Sequence, residues 1–388
     1  MDQALAETLT GWRRHLHAHP GLTLNEGATA AFVAERLRAM GVEVTEGVGG
    51  HGVVGTIRRA PGGAGGASNR SVGLRGDMDA LPIQELNAEL PHRSTIPGVM
   101  HACGHDGHTT ALLGAAALLV ADASWTGTVQ LVFQPAEEGG GGARAMIADG
   151  LFQRFPMERI FGWHNWPGLE AGTIAVHEAA VMAAGARFTI TFTGHAGHAA
   201  LPHLTRDPMI GAGHCIVALQ SIVARNIDPM QAAVVSVTVA EAGEAQNQVA
   251  ARATLKGTAR WLTEATGTAI EAAMRRIAEG IAATFGLQAA VDFRVGVAPT
   301  VNHPAEREAA ATAAAAVTTL RRDLLPAMTG EDFSFFLQEV PGAFVWIGNG
   351  PGDGGRELHN PAYDFNDAIL PVASGFLAEV AKRALAGD

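Results

Sequence analysis

The chain is short of cysteine, of positive charge and of long apolar runs, and each shortage excludes something. Cysteine occurs twice in 388 residues, as Cys103 and Cys215, which rules out a disulfide framework and fits a reducing compartment. Lysine and arginine total 27 against 38 aspartates and glutamates, a formal net charge of −11. Nucleic acid and anionic membrane both call for basic surface, so neither is an expected partner. No uninterrupted apolar run approaches a membrane span. The start, Met1-Asp2-Gln3, is acidic and shows no basic segment leading into an apolar one, so a cytoplasmic location is expected. What the chain does have is apolar bulk. Hydrophobic residues make up 47% and charged residues 17%, the balance of a well-buried globular protein. Its length exceeds what one core usually serves, so two domains are expected.

Apolar periodicity predicts a helix over residues 4–18, stopped by His19-Pro20. A second follows Asn25 as N-cap, turns Phe32, Val33, Leu37 and Met40 inward, and ends at Gly41. Residues 42–48, 52–57 and 72–74 read as strands, with a flexible hairpin loop at 61–68. Residues 109–121 are so uniformly apolar that they read as a buried helix. A strand at 129–133, a short helix at 143–148 and a strand at 160–163 follow. Helices alternating with continuous apolar strands predict an α/β domain with a mainly parallel sheet. Near residue 182 the pattern changes to strand 187–193, helix 208–225, strands 233–240 and 251–260, helix 264–285 and strand 290–295. That β-α-β-β-α-β order is ferredoxin-like, with one open sheet face. A helix at 305–320, a strand at 343–347 and a helix at 367–386 complete the chain. The expected organisation is a catalytic domain of residues 1–181 and 296–388, interrupted by an α+β insertion of residues 182–295.

The densest chemistry lies in His101-Ala102-Cys103-Gly104-His105-Asp106-Gly107-His108. Three imidazoles, a thiol and a carboxylate in eight residues suit divalent Zn, Ni, Co or Mn, and two glycines relieve crowding. The alternative is a solvated polar loop. A second signal, Gln134-Pro135-Ala136-Glu137-Glu138 followed by four glycines, directly succeeds a predicted strand. Ligands bind outside the carboxyl ends of strands in open α/β sheets. Adjacent carboxylates repel, and a metal separates their roles: one ligates while the other takes a proton from water. Three weaker signals share strand ends or the last loop: His164, His359 and Asp77-Met78-Asp79. A carboxylate in the last could orient a ligand histidine through its second nitrogen. His15, His17 and His19 fall on different faces of a helix end and read as structural. Cys215, inside an apolar helix, reads as core.

Together these stretches resemble the metal-dependent amidohydrolases that include hippurate hydrolases, N-acyl-amino-acid aminoacylases and plant auxin-conjugate hydrolases. The resemblance is carried by Gly76–Pro82, the 101–108 cluster, Gln134–Gly142, His164-Asn165, Gly197–His203, Gly330–Phe335 and His359-Asn360-Pro361, in family order across nearly the whole chain. It implies two divalent metal ions held by Cys103, His105, Glu138, His164 and His359, with Glu137 as general base. It implies that His198, from a partner subunit, stabilises the oxyanion and that the insertion is a dimerising lid. Asn247 and Arg260 resemble contacts to a substrate carboxylate, while His195 and His203 read as supporting. The implied reaction is hydrolysis of the amide of N-acyl-L-amino acids by a homodimer or dimer-based oligomer. The alternatives are a dipeptidase or carboxypeptidase and, in another class, a metal-dependent binding protein. A hinge near residues 180–186 and 294–298 would let the lid close. The chain departs from the family at Asn247-Gln248-Val249-Ala250-Ala251, where relatives carry Asn-Val-Ile-Pro-Asp, at His195 and at Gly21. Those departures bear on substrate preference.

Overall fold

A computed structural model describes residues 1–60 and 70–387. The hairpin loop expected at 61–68 lies outside the described residues. The chain divides into two compact units, one of residues 1–181, 301–325 and 332–388, the other of residues 182–300 and 326–331. The segment 326–331, expected with the catalytic domain, belongs with the second unit. Two boundaries expected from sequence are therefore four, because this short stretch pairs with the start of the insertion: Ala183 donates its N–H to the carbonyls of Ala327 and Thr329.

The first unit is built on an eight-stranded sheet. Its strands β1 (Glu43–Val48), β2 (Gly52–Arg59), β3 (Ser71–Asp77), β4 (Gly127–Gln134) and β5 (Arg159–Pro167) lie in the order β1-β2-β4-β3-β5. Strands Gly342–Gly350, Ile174–Ala175 and Leu320–Arg321 follow. The four central strands, β4, β3, β5 and Gly342–Gly350, are parallel, whereas β1 and β2 add antiparallel. Every residue of Gly342–Gly350 is buried and β3 is buried from Val72 to Asp77, as a sheet covered on both faces requires.

Three helices of this unit matter for the site. Helix α1 (Gln3–Ala18) is capped by the Asp2 carboxylate on the Leu5 N–H. Helix α2 (Gly27–Ala39) is preceded by Glu26, not Asn25, as N-cap, and it stops at Gly41 with φ of 77°. Helix α3 (His105–Ala121) is buried along most of its length, packed against α1 and the terminal helix Leu370–Ala386. It begins four residues before the expected start, so half of the ligand-rich cluster is the first turn of a helix. Gly104 permits this: its φ is 90°, and a Cβ there would come within 2.7 Å of both Asn165 and Tyr363. Elsewhere the helix expected at 305–320 ends at Val317, leaving Leu320 to an edge strand, and the last helix opens as a 3₁₀ turn at Asp367–Ile369. The helix Phe333–Glu339 has no counterpart in the sequence reading.

The second unit is a four-stranded antiparallel sheet, ordered Ala233–Ala242, Arg252–Trp261, Ala184–Thr193, Gln288–Val297. In order of appearance that is 2-3-1-4, the ferredoxin-like arrangement. Phe188, Ile190 and Phe192 alternate inward against helices Pro208–Ser221 and Glu264–Phe285, while Arg187, Thr189 and Thr191 face the open side. The first helix closes in a π-helical turn, Ile222–Asn226. Cys215 sits fully buried in this core. Among the described residues no helix is long and apolar enough to cross a membrane.

Candidate metal centre

The carboxyl ends of β3, β4 and β5 place Asp77 and Asp79, Glu137 and Glu138, and His164 around the first turn of α3. His164 does not end its strand, which continues to Pro167. Cys103 Sγ and His164 Nε2 approach to 3.4 Å. The other ring nitrogen of His164 bonds the Asn165 carbonyl at 2.7 Å, which fixes the tautomer and turns the Nε2 lone pair toward the thiol. His105 Nδ1 donates to the Asp79 carbonyl at 2.9 Å and lies 3.2 Å from the Asp79 carboxylate. Its Nε2 is buried without a hydrogen-bond partner. Asp79 also accepts from the Glu138 N–H at 3.0 Å and the Thr23 hydroxyl at 2.7 Å. It therefore orients one histidine and one strand-end loop together.

Two orphaned atoms test whether a cation fits. Glu138 Oε1 is buried and makes no hydrogen bond, yet His359 Nε2 lies 3.1 Å from it. Two electron-pair donors facing one another without hydrogen-bond geometry is how two ligands of one ion stand. His359 holds that place through a backbone at φ of 63° and an N–H bonded to the Ala102 carbonyl. Cys103, His105 and His164 form one group whose ligand atoms lie within 4.8 Å; Cys103, Glu138 and His359 form another; His105, Glu137 and Glu138 a third. All five expected ligands and Glu137 thus fall in three overlapping groups, which between them offer thiol, imidazole and carboxylate donors that suit borderline divalent ions.

The electrostatics agree. Burial, then the charges of Glu138, Glu137 and Asp77, push the Cys103 thiol well above its usual range. Burial alone would lower the His105 pKa, but Asp77 and the bond to Asp79 raise it to about 10. The carboxylates that draw a proton to Nε2 draw a divalent cation by the same attraction. Burial and the neighbouring His108 lower the His164 pKa and favour the neutral imidazole, the form that could bind a metal.

Not every histidine of the cluster is free to hold a metal. His108 spends both nitrogens, donating from Nδ1 to Asp77 at 2.6 Å and accepting the Asn165 N–H on Nε2 at 3.0 Å. Asp77 in turn accepts from Arg75 at 2.7 Å. Asn165 also donates to the Cys103 carbonyl at 2.7 Å and accepts from the Tyr363 hydroxyl at 2.6 Å. This buried chain locks the backbone that carries the candidate ligands; Asn165 entered the sequence reading only as part of the His164-Asn165 motif, and Tyr363 and Arg75 had no role in it. A carboxamide beside a ligand histidine was the available signal. His17 bonds Asp106 in the first turn of α3 at 2.8 Å, so one of the three N-terminal histidines is a brace for the site.

The remaining expected residues lie on the second unit. His198 is exposed in a two-stranded ribbon, Gly197–His198 with Gln248–Val249, and its Nδ1 accepts the Ala200 N–H at 3.1 Å. Asn247 neighbours it, its carbonyl accepting from the Ala199 N–H at 3.0 Å. Arg260 is not part of this group: it lies on the four-stranded sheet, packed over Gly185. His195 and His203 are exposed.

Comparison with known proteins gives the family. The profile of peptidase family M20/M25/M40 matches residues 73–383. A hippurate hydrolase of Campylobacter jejuni is 39% identical over 376 residues, 96% of this chain and 95% of the relative. An N-acetyl-L-cysteine deacetylase of Bacillus subtilis is 38% identical over 382 residues, 98% of this chain and 89% of the relative. A solved Bacillus subtilis protein, described as a dinuclear metal-binding peptidase from the M20 family, superimposes with a TM-score of 0.87 at 35% identity, covering 99% of both chains. The chain belongs to peptidase family M20/M25/M40, and it is a hydrolase.

Proposed function

We propose that the protein hydrolyses the amide bond of N-acyl-L-amino acids, N-benzoylglycine being one candidate, using two divalent metal ions. The observation that carries this reading is the meeting of Cys103, His105, Glu138, His164 and His359 in overlapping groups, with Glu137 beside His105 and Glu138, in a chain whose relatives include a hippurate hydrolase and an N-acetyl-L-cysteine deacetylase. Bound there, Zn, Mn, Ni or Co would polarise the scissile carbonyl and ease deprotonation of the attacking water. Glu137 takes that proton and returns it to the leaving amine, so that water and amide become carboxylate and amine. Asp79 keeps His105 oriented. His198, exposed at the tip of its ribbon, supplies the oxyanion donor from a partner subunit, a contribution of about 3–4 kcal/mol for such a group. Asn247 and Arg260 receive the substrate carboxylate, a guanidinium matching it in a bidentate pair. The insertion serves as dimerising lid, closing about residues 180–186 and 294–298. The compartment is the cytoplasm, in keeping with two unpaired cysteines.

The alternative, a peptidase, has the description of the solved relative behind it, whereas the hippurate hydrolase and the N-acetyl-L-cysteine deacetylase favour the acyl-amino acid. The two are separated by initial rates on N-acetyl, N-benzoyl and indole-acetyl amino acids and on matching dipeptides, with chelator-stripped protein before and after adding each metal. Metal-restored cleavage of an acyl-amino acid is the expected result. Cleavage of dipeptides alone would transfer the assignment to a peptidase.

A further inference from the structure

Glu26 is fully buried at the start of α2, yet it makes no capping bond to that helix. Its Oε1 instead accepts two backbone N–H groups, from Leu24 at 2.8 Å and from Ala136 at 2.9 Å. Leu24 and Ala136 are two of the three non-glycine residues with positive φ among the described residues, at 68° and 53°. A side-chain-bearing residue keeps that conformation only where its surroundings impose it. Ala136 immediately precedes Glu137. On the far side, the Glu138 N–H donates to Asp79 at 3.0 Å. Glu137 therefore stands between two amides, each tied to a buried carboxylate. The turn also closes on itself, the Gly142 N–H reaching the Ala136 carbonyl and the Gly139 N–H the Glu137 carbonyl. The second oxygen of Glu26 is buried with no hydrogen-bond partner. A carboxyl kept dry and half satisfied is costly, and local helix capping does not explain it.

We propose that Glu26 is a positioning residue for Glu137: its Oε1 holds Ala136 in the left-handed conformation that aims the next carboxylate at the attacking water. The inference rests on Glu137 being the general base. It places a second determinant of turnover some 110 residues away in sequence, at the start of a helix that carries no candidate ligand.

The test compares Glu26→Met, which fills the volume without an acceptor, with Glu26→Gln, which keeps Oε1, and with Glu137→Gln. Three readouts are taken: kcat and KM, the thiolate-to-metal absorption and stoichiometry of cobalt-loaded protein, and the melting temperature. Glu26→Met is expected to lose roughly 10- to 100-fold in kcat with KM within about twofold, the loss that misaiming a catalytic group by about 1 Å produces. Its cobalt spectrum and stoichiometry should not change, and Glu26→Gln should recover to within about threefold of wild type. Wild-type kcat in folded Glu26→Met, while Glu137→Gln is inactive, overturns the positioning role and leaves the base in place. An active Glu137→Gln removes the base reading itself, and the inference with it. Cobalt loss or an altered spectrum in Glu26→Met also overturns it, since Glu26 would then serve the ligands. If Glu26→Met does not fold, Glu26→Asp, one methylene short of Ala136, decides: reduced kcat supports the inference and undiminished kcat refutes it.

Discussion

The two units fill their interiors in opposite ways. The core cluster of the second is apolar throughout, with Phe188, Ile190, Phe192, Leu219, Leu255, Trp261, Ile270 and Met274 meeting around Cys215, and among the described residues its charged side chains other than Glu331 are not buried. In the first unit Arg13, His17, Arg75, Asp77, Asp79, His101, His105, Asp106 and His108 are buried beside the hydrocarbon. Burying a charge costs several kcal/mol unless it is paired, so a chain that carries this many must give each a partner or an ion. Most have protein partners: Arg13 meets Asp364 and Asp367, Arg75 meets Asp77, His17 meets Asp106. The atoms left over, His105 Nε2 and Glu138 Oε1 among them, mark where something else belongs. An apolar core reports only that a unit folds. A core full of ionisable groups reports, through its unpaired atoms, what it binds.

That contrast can be broken by substitution, and the largest expected effect is on chemistry. Glu137→Gln should lower kcat by about 10²–10⁴-fold while the melting temperature stays near wild type; turnover within a few fold of wild type would sink the assignment of the base. Next is stability. Arg75→Met leaves Asp77 buried without its cation and should cost about 3–5 kcal/mol by denaturant unfolding, together with loss of metal stoichiometry. Leu219→Ala in the second core should cost about 2–5 kcal/mol through its cavity, with stoichiometry unchanged. If both variants lost metal equally, the distinction between the two cores would not stand.

The pH dependence of stability should also separate the units. Burial would lower the His17 pKa, but its bonds to Asp106 and Glu85 raise it to about 9, with Arg13 opposing. His92 and His101 also face its ring. Because the folded value exceeds the unfolded 6.5, the stabilisation is fully present below pH 6.5 and disappears as pH rises through about 9. Its size is on the order of 3 kcal/mol at 1.36 kcal/mol per pH unit. Unfolding free energies between pH 6 and 10 should decline more steeply for wild type than for His17→Gln; parallel curves would show that His17 is not the responsible group. The smallest effect belongs to the surface. Lys256→Ala removes an exposed pair with Glu241 at 3.2 Å and should change stability by less than about 0.5 kcal/mol. A cost above about 1 kcal/mol would mean that charge matters on that unit too.

Much of the site was legible because its signals are chemical and local. Cys103 and His105 lie two apart, Glu137 and Glu138 are adjacent, and both groups border apolar strands, so their convergence follows from where parallel strands end. The boundary of α3 was harder. A glycine followed by histidines looks like a loop, and only the close approach of Asn165 and Tyr363 shows why Gly104 starts a helix there. His108 received no role from the sequence beyond its place in the donor-rich stretch, because its partners, Asp77 from β3 and Asn165 from β5, are remote in sequence. Glu26 was passed over because a carboxylate at a helix start normally caps that helix, whereas here it reaches across to Ala136.

By itself the sequence determined the donor-rich stretches, the mainly parallel sheet and the ferredoxin-like order of the insertion, because these depend on residue type and on periods of two and 3.6 residues. Tertiary structure alone decided which imidazoles are left with a vacant lone pair and which are spent on hydrogen bonds. It also decided that 326–331 joins the second unit, and that Ala136 is held by Glu26. The physical reason is shared. A hydrogen bond between residues separated by a hundred positions leaves no periodic trace in a chain, and it exists only once folding has brought the two groups together.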